Sequence, residues 1–304
     1  MSVRDKQRVP KKRRWEIPVP LEIETEADIV PPRYFAWKGI LDRGAAALLL
    51  LPGLPMIGAL VLLVRLTSRG PGLFRQSRVG KGGRVFTMYK IRTMKDNAET
   101  GTGPVWTRAG DPRVTRLGKI LRKLHLDELP QLFNVLRGEM SLIGPRPERP
   151  EFVKLLAKEI PGYVNRLAVP PGVTGLAQIN LPPDTDLDSV RRKLALDLDY
   201  IRNASLLLDF RMFLCTLVRL LGLPCDGVMM ILRLRRQVDV HEPGLHGNGA
   251  GGGQSVPLTS LETGAREEEG REIRDQSHKG NGHRGPGSGE SRPAKDASAR
   301  TKPR

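Results

Sequence analysis

Twenty-one successive positions, Gly44–Val64, carry no charged side chain. At 1.5 Å per residue a helix of that length reaches about 31 Å, the thickness of a bilayer's hydrocarbon core. The run starts too far from Met1 for a signal peptide, so it predicts a membrane helix. Two features complicate a simple crossing. Pro52 and Pro55 fall near its middle, where a proline removes a helix hydrogen bond and kinks the axis. Lys38 and Arg43 precede the run and Arg65 and Arg69 follow it, and the positive-inside tendency asks for both ends on the cytoplasmic side. A spanning helix and a helix that enters, bends and returns both fit.

From Arg69 to Val240 short apolar elements alternate with loops, as in an α/β or α+β unit. Arg84–Met94 predicts a strand, with Phe86, Met88, Lys90 and Arg92 on one face. Asp111–Leu126 predicts an amphipathic helix whose stripe is Val114, Leu117, Ile120, Leu121 and Leu124, ringed by basic residues. Such a helix suits a solvated surface or a membrane interface. Asp127–Gly138 predicts another helix, with Leu129, Leu132, Phe133 and Leu136 inward and Gly138 as its stop. A last apolar helix covers roughly Ser205–Leu221. No internal repeat is visible.

Composition changes the picture at both ends. His241–Arg304 contains no Phe, Trp or Tyr and holds 13 of the 33 glycines, which predicts a disordered tail. Residues 4–14 hold seven Lys or Arg against one acid, Asp5, a basic arm suited to solvent or to anionic lipid headgroups. The net charge of +17 therefore sits almost wholly before the tail and points to anionic partners. A nucleic-acid binder fits poorly: there is no aromatic stacking array, and the uncharged run would be unexplained. Cys215 and Cys225 form no CxxC motif, and four of the five histidines lie in the tail. With only His125 left, a Ser-His-Asp triad or a zinc site is nearly excluded, and chemistry must run on carboxylates, Lys and Arg.

Asp127–Glu128 is the sharpest feature. Pro130 suits only a first helical turn, so both acids sit at a helix start, where free N–H groups favour phosphate. Adjacent positions do not face each other, so the two carboxylates suit different tasks. The same pair would also serve as an N-cap followed by a dipole-favourable Glu. In Ser141–Phe152, Pro145 and Pro147 bracket Arg146 and hold a guanidinium in a stiff turn, as bidentate phosphate recognition wants. Val169–Gly175 (VPPGVTG) is a second stiff turn, with glycines where a backbone could approach a ligand. Gly80–Arg84 (GKGGR) departs from the GxxxxGK[ST] loop and reads as a hairpin turn.

The segments LFRQSRVGKGGRVFTMYKIRTM, DPRVTRLGKILRKLHLDELPQLFNVLRGEMSLIGPRPERPEF, PPGVTGLAQIN and DLDYIRNASLLLDF together resemble the bacterial sugar transferase family, the monotopic polyprenol-phosphate phosphoglycosyl transferases. The resemblance runs from about Lys38 to Gly222. It implies a mixed, helix-rich α/β fold with an N-terminal re-entrant membrane helix and interfacial amphipathic helices. The implied organisation is a basic polar arm at 1–37, the re-entrant helix at 38–67, a catalytic domain at 68–240 and a disordered tail at 241–304.

The implied reaction transfers a sugar 1-phosphate from a UDP-sugar to a membrane polyprenyl phosphate such as undecaprenyl phosphate. UMP is released through a covalent aspartyl-phosphosugar, as the first step of surface glycan assembly. Asp127 matches the family's nucleophile and Glu128 its metal-associated neighbour, with Mg2+ as the ion both acids would hold. Lys90, Arg122 and Arg146 match basic, phosphate-contacting positions, and Pro55 matches the proline that breaks the membrane helix. The implied location is the bacterial inner membrane, with the catalytic domain on the cytoplasmic face among anionic lipids; homo-oligomerisation stays open. Leu54, Leu176 and Leu181–Pro183 depart from the family's frequent Ser, Trp and Gly-Arg, which bears on helix breaking and on sugar and acceptor choice. The rival reading is a catalytically silent, membrane-bound scaffold of envelope glycan assembly.

Overall fold

The structure, a computed structural model, describes residues 29–98, 110–220 and 226–236. The basic arm before residue 29 and the tail from 241 onward lie outside the described residues.

The uncharged run forms one long helix, α1 (Tyr34–Thr67), which carries Pro52 and Pro55 in its interior. By length and composition it could cross a membrane. One face of α1 is buried: Lys38, Asp42, Ala46, Leu50, Gly53, Ile57 and Val64 recur every three or four residues until the last step. The opposite face leaves Leu48, Leu51, Leu54, Leu62 and Leu66 exposed. Both ends are fastened to the same folded unit. Near the start, Lys38 pairs with Asp42 at 3.1 Å and with Asp209 at 2.5 Å, so this basic flank is buried within the protein. Beyond the far end, Arg92 Nη2 donates to the Ser68 carbonyl at 2.9 Å and to its hydroxyl at 2.8 Å.

An antiparallel hairpin follows, β1 (Leu73–Val79) and β2 (Val85–Ile91), closed by a 3-10 turn at Lys81–Gly83. This is the hairpin turn expected of GKGGR. Phe86 and Met88 are buried as the period-two pattern requires. The expected helix over Asp111–Leu126 shortens to α2 (Arg116–Lys123). Thr115 caps it by accepting from the Gly118 N–H at 2.9 Å, and upstream Val114 bridges Met94 as extended chain. Ile120, assigned to the apolar stripe, is 57% exposed. The expected helix over Asp127–Gly138 divides into a 3-10 turn, Leu126–Gln131, and a short helix α3 (Leu132–Leu136). Pro130 lies inside the tight turn, where its missing N–H costs least. Gly138, at φ 76°, follows α3 in the left-handed conformation of a helix stop.

A parallel pair, β3 (Ser141–Ile143) and β4 (Gly172–Thr174), joins α4 (Pro150–Glu159), the 3-10 turn Tyr163–Ala168 and α5 (Leu176–Asn180). The chain continues through α6 (Leu187–Asn203), α7 (Leu206–Leu220) and α8 (Asp226–Ile231). The architecture is thus helix-rich, mixed α/β. One core packs Leu196, Tyr200 and Ile201 of α6 against Met212 and Cys215 of α7. A second joins the buried face of α1 to Phe86, Met88, Leu121, Leu132 and Val135. A third sets Phe152, Val153 and Leu156 of α4 against Tyr163, Val190 and Leu194.

Candidate active site

β2 lies against the 3-10 turn that carries the two acids. His125 opens that turn at φ 52°, a left-handed conformation uncommon outside glycine. The turn sends its adjacent carboxylates to different surroundings. Glu128 Oε1 accepts from Lys90 Nζ at 3.1 Å and from Arg146 Nη2 at 2.9 Å. Asp127 is 7% exposed, and its carboxylate makes no hydrogen bond or salt bridge among the described residues. Arg122, on α2, is held by its Nε donating to Thr93 Oγ1 at 2.8 Å.

The electrostatics separate the pair. Burial pushes the Glu128 carboxyl upward, but Arg146 and then Lys90 more than offset it and hold the group far below the ordinary range. For Asp127, burial is the largest influence and raises its value; Lys90, Arg122 and Arg146 pull it down, while Glu128 adds to the rise. The Lys90 ammonium is lowered by burial against the pull of Glu128, and Arg146 is raised chiefly by Glu128. Three cations, Lys90, Arg122 and Arg146, therefore surround two carboxylates, a balance that favours an incoming polyanion.

The Pro145–Arg146–Pro147 turn is fixed through its backbone. The Pro145 carbonyl accepts from the Gly172 N–H at 2.9 Å, and the Pro147 carbonyl from Arg78 Nη1 at 3.0 Å. The Glu148 carbonyl accepts from the Val79 N–H at 2.9 Å. The VPPGVTG segment, read as a ligand-facing turn, instead supplies β4 beside β3. A Cβ on Gly172 would lie 2.1 Å from the Gly144 nitrogen, so glycine there serves strand approach.

Of the expected site residues, Asp127, Glu128, Lys90, Arg122 and Arg146 converge on one place. Pro55 is an exposed position in the interior of α1. Several residues that shape the cluster carried no sequence signal. Buried Asn134 donates to the Thr87 carbonyl at 2.7 Å and accepts from the Tyr89 N–H at 3.2 Å, locking α3 to β2. Arg78 and Arg166 hold the Pro-Arg-Pro turn, yet along the chain each is one more basic residue in a basic protein.

The donor set suits Mg2+. No group of three or more His, Cys, Asp or Glu that could hold a metal lies among the described residues. Asp127 keeps both oxygens free of described partners, and Glu128 keeps Oε2. Magnesium is commonly held by one or two carboxylates together with substrate phosphates and water, which matches two acids beside a phosphate-attracting ring.

Residues 33–222 match the bacterial sugar transferase family. The chain is 47% identical over 178 residues to the UDP-N-acetylgalactosamine-undecaprenyl-phosphate N-acetylgalactosaminephosphotransferase of Aeromonas hydrophila, covering 59% of this chain and 42% of that protein. It is 42% identical over 187 residues to the UDP-glucose:undecaprenyl-phosphate glucose-1-phosphate transferase of Xanthomonas campestris pv. campestris, covering 61% and 39%. A protein of the same name from Caulobacter vibrioides is 45% identical over 186 residues, covering 60% of this chain and 69% of that one. The chain thus spans about two fifths of the first two relatives and about two thirds of the third. The matched segment holds α1, the hairpin and all five clustered residues, and on that match the chain belongs to the bacterial sugar transferase family.

Proposed function

We propose that the chain is a phosphoglycosyl transferase that moves a sugar 1-phosphate from a UDP-sugar to undecaprenyl phosphate and releases UMP, opening the assembly of a surface glycan. The observation that carries this reading is the unequal pair of acids. Asp127 is buried with its carboxylate in no described hydrogen bond, beside Glu128, which is committed to two cations. The substrate classes follow the relatives' names, which divide between N-acetylgalactosamine and glucose.

In the first step a carboxylate oxygen of Asp127 bonds to the sugar-bearing β-phosphorus. The bond from that phosphorus to the oxygen bridging to the α-phosphate breaks, and UMP departs with the electron pair. The enzyme keeps an aspartyl-phosphosugar. In the second step an oxygen of undecaprenyl phosphate attacks the same phosphorus, and the Asp127 carboxylate leaves. Neither step requires a proton to move. That suits a site whose histidine, His125, is pushed toward its neutral form chiefly by burial. Arg146, Lys90 and Arg122 hold phosphate oxygens and disperse the charge that a carboxylate meets when it attacks a diphosphate. Glu128 orients Lys90 and Arg146 and, with Asp127, would hold Mg2+. Bound there with the diphosphate, Mg2+ supplies charge neutralisation at the departing phosphate.

The membrane reading is that α1 is re-entrant and bends at Pro52 and Pro55. Its support is mechanical: Lys38 and Ser68 both contact the same folded unit, which a crossing helix would have to leave by one end. Exposed Ile120 on α2 and Leu206, Leu207 and Phe210 on α7 add apolar surface suited to the interface. The catalytic unit, residues 68–240, would lie on the cytoplasmic face of the inner membrane, with the 1–37 arm attracted to anionic lipids.

The test is UMP release by the purified full chain given undecaprenyl phosphate, Mg2+ and either UDP-N-acetylgalactosamine or UDP-glucose. Turnover with at least one donor is expected. Absence of turnover with a broad set of UDP-sugars would contradict the reading.

A further inference from the structure

Four consecutive carbonyls of the Pro145–Glu148 turn are held, those of Pro145, Pro147 and Glu148 by Gly172, Arg78 and Val79. The fourth, that of Arg146 itself, accepts from Arg166 Nη2 at 2.8 Å. Arg166 is set in the 3-10 turn Tyr163–Ala168 and is only 3% exposed. Its Nε and Nη2 both donate to Asp197 Oδ2 of α6, at 3.0 and 2.7 Å. Its Nη1 donates to the Tyr163 hydroxyl at 2.9 Å. Asp197 and Tyr163 are 1% and 2% exposed. Three donor contacts to Asp197 and Tyr163 thus fix one planar fork, and its fourth goes to the backbone of the residue that grips Glu128.

An ion pair as deeply buried as Arg166–Asp197 is a poor device for stability alone, since an apolar pair of similar volume generally serves as well or better. Its placement supplies another reason. A shift of the Arg146 carbonyl moves the root of the side chain whose Nη2 lies 2.9 Å from Glu128 Oε1. We infer that Tyr163, Arg166 and Asp197 form a positioning unit for Arg146, and that their effect on the reaction passes through that one guanidinium. Resting on the function proposed above, this assigns roles to three residues that act from behind the Arg146 backbone.

The test is a double-mutant cycle on the full-length protein in detergent, because residues that act through a common group show coupled losses and independent ones add. Tyr163→Phe removes one hydroxyl and is the mild arm; Asp197→Asn is the stronger one. Each is made in the parent and in an Arg146→Lys background. Two quantities are read: the single-turnover rate of adduct formation from UDP-sugar, and the affinity for UDP by calorimetry. Affinity keeps the cycle readable even if the covalent mechanism fails, and failure of that mechanism would show as no adduct in the parent protein. Tyr163→Phe is expected to weaken both quantities about tenfold in the parent and less than twofold once Arg146 is Lys. Asp197→Asn should show the same coupling with a larger first factor. Equal factors in both backgrounds, or a lowered melting temperature with unchanged UDP affinity and rate, would reduce the cluster to support of the fold and overturn the inference.

Discussion

Asp127 and Glu128 are neighbours in the chain, yet one side chain meets two cations and the other meets none directly. The assignment of nucleophile and partner rests on that difference. Glu128→Gln keeps the shape but removes the charge that Lys90 and Arg146 share. Turnover should fall about a hundredfold, with the fold retained by circular dichroism. Arg146→Lys should lose a similar factor, because an ammonium does not reproduce the planar fork. In the proposed mechanism Asp127 must be ionised to attack, and burial, the largest influence, raises its value above the ordinary 3.8. The acid limb of the rate profile therefore reflects protonation of a raised carboxyl. Lys90 pulls that value down, so Lys90→Gln should move the limb to higher pH; a limb that stays put or moves lower would contradict the assignment. Glu148 behaves oppositely: burial raises it, but Lys193 and Arg78 more than offset that and hold it at about 2 instead of 4.5. A depressed carboxyl stabilises the fold above its unfolded value and loses that contribution as pH falls toward the folded one. About 3 kcal/mol should therefore disappear between pH 4.5 and about 2, seen as a falling melting temperature that Glu148→Gln flattens. The acids and the prolines around Arg146 were legible in the sequence because a proline constrains its neighbours locally. Asn134, Arg166 and Asp197 were not, because their importance lies in partners 20 to 47 positions away.

At the scale of elements, the hydrophobic pattern located α1, β2 and α7 closely, since each buries one regular face over many residues. It overran at α2 and α3, where Thr115 and Pro130 end or tighten helical structure against a continuing apolar rhythm. It gave no sign that Lys38 would be buried, because charge alone does not distinguish a lipid-facing flank from half of an ion pair. The β3–β4 pair was also invisible: three residues per strand leave no period to read. That pair makes a sharp structural prediction. A methyl at Gly172 would meet the Gly144 nitrogen at 2.1 Å and the Thr174 oxygen at 2.4 Å, all of it backbone. Gly172→Ala should therefore cost about 1–3 kcal/mol and lower the melting temperature by several degrees. It should also slow turnover, because Gly172 holds the Pro145 carbonyl. For α1, both ends are expected on one face of the membrane. Single cysteines at exposed Arg33 and Arg69, in a background lacking Cys215 and Cys225, should be labelled from the same side of sealed vesicles. Labelling from opposite sides would restore a crossing helix.

Across the whole molecule, the proposed reading has the long apolar helix α1 bring the basic cluster to a membrane surface, where a lipid-linked phosphate would present itself. The tail from His241 onward has no aromatic residue with which to build a core, so a chain ending at Asp239 should keep its turnover. Loss of most activity in a folded truncated protein would assign the tail a role. The proposed reaction passes through a covalent enzyme intermediate, and intact-protein mass spectrometry reads it directly. The full chain, incubated with Mg2+ and its UDP-sugar donor but without undecaprenyl phosphate, should gain the mass of one sugar phosphate while releasing an equal amount of UMP. Adding undecaprenyl phosphate should return the protein to its starting mass. Asp127→Asn should show no mass gain. An adduct that persists in Asp127→Asn, or UMP release that waits for the acceptor, would contradict the account.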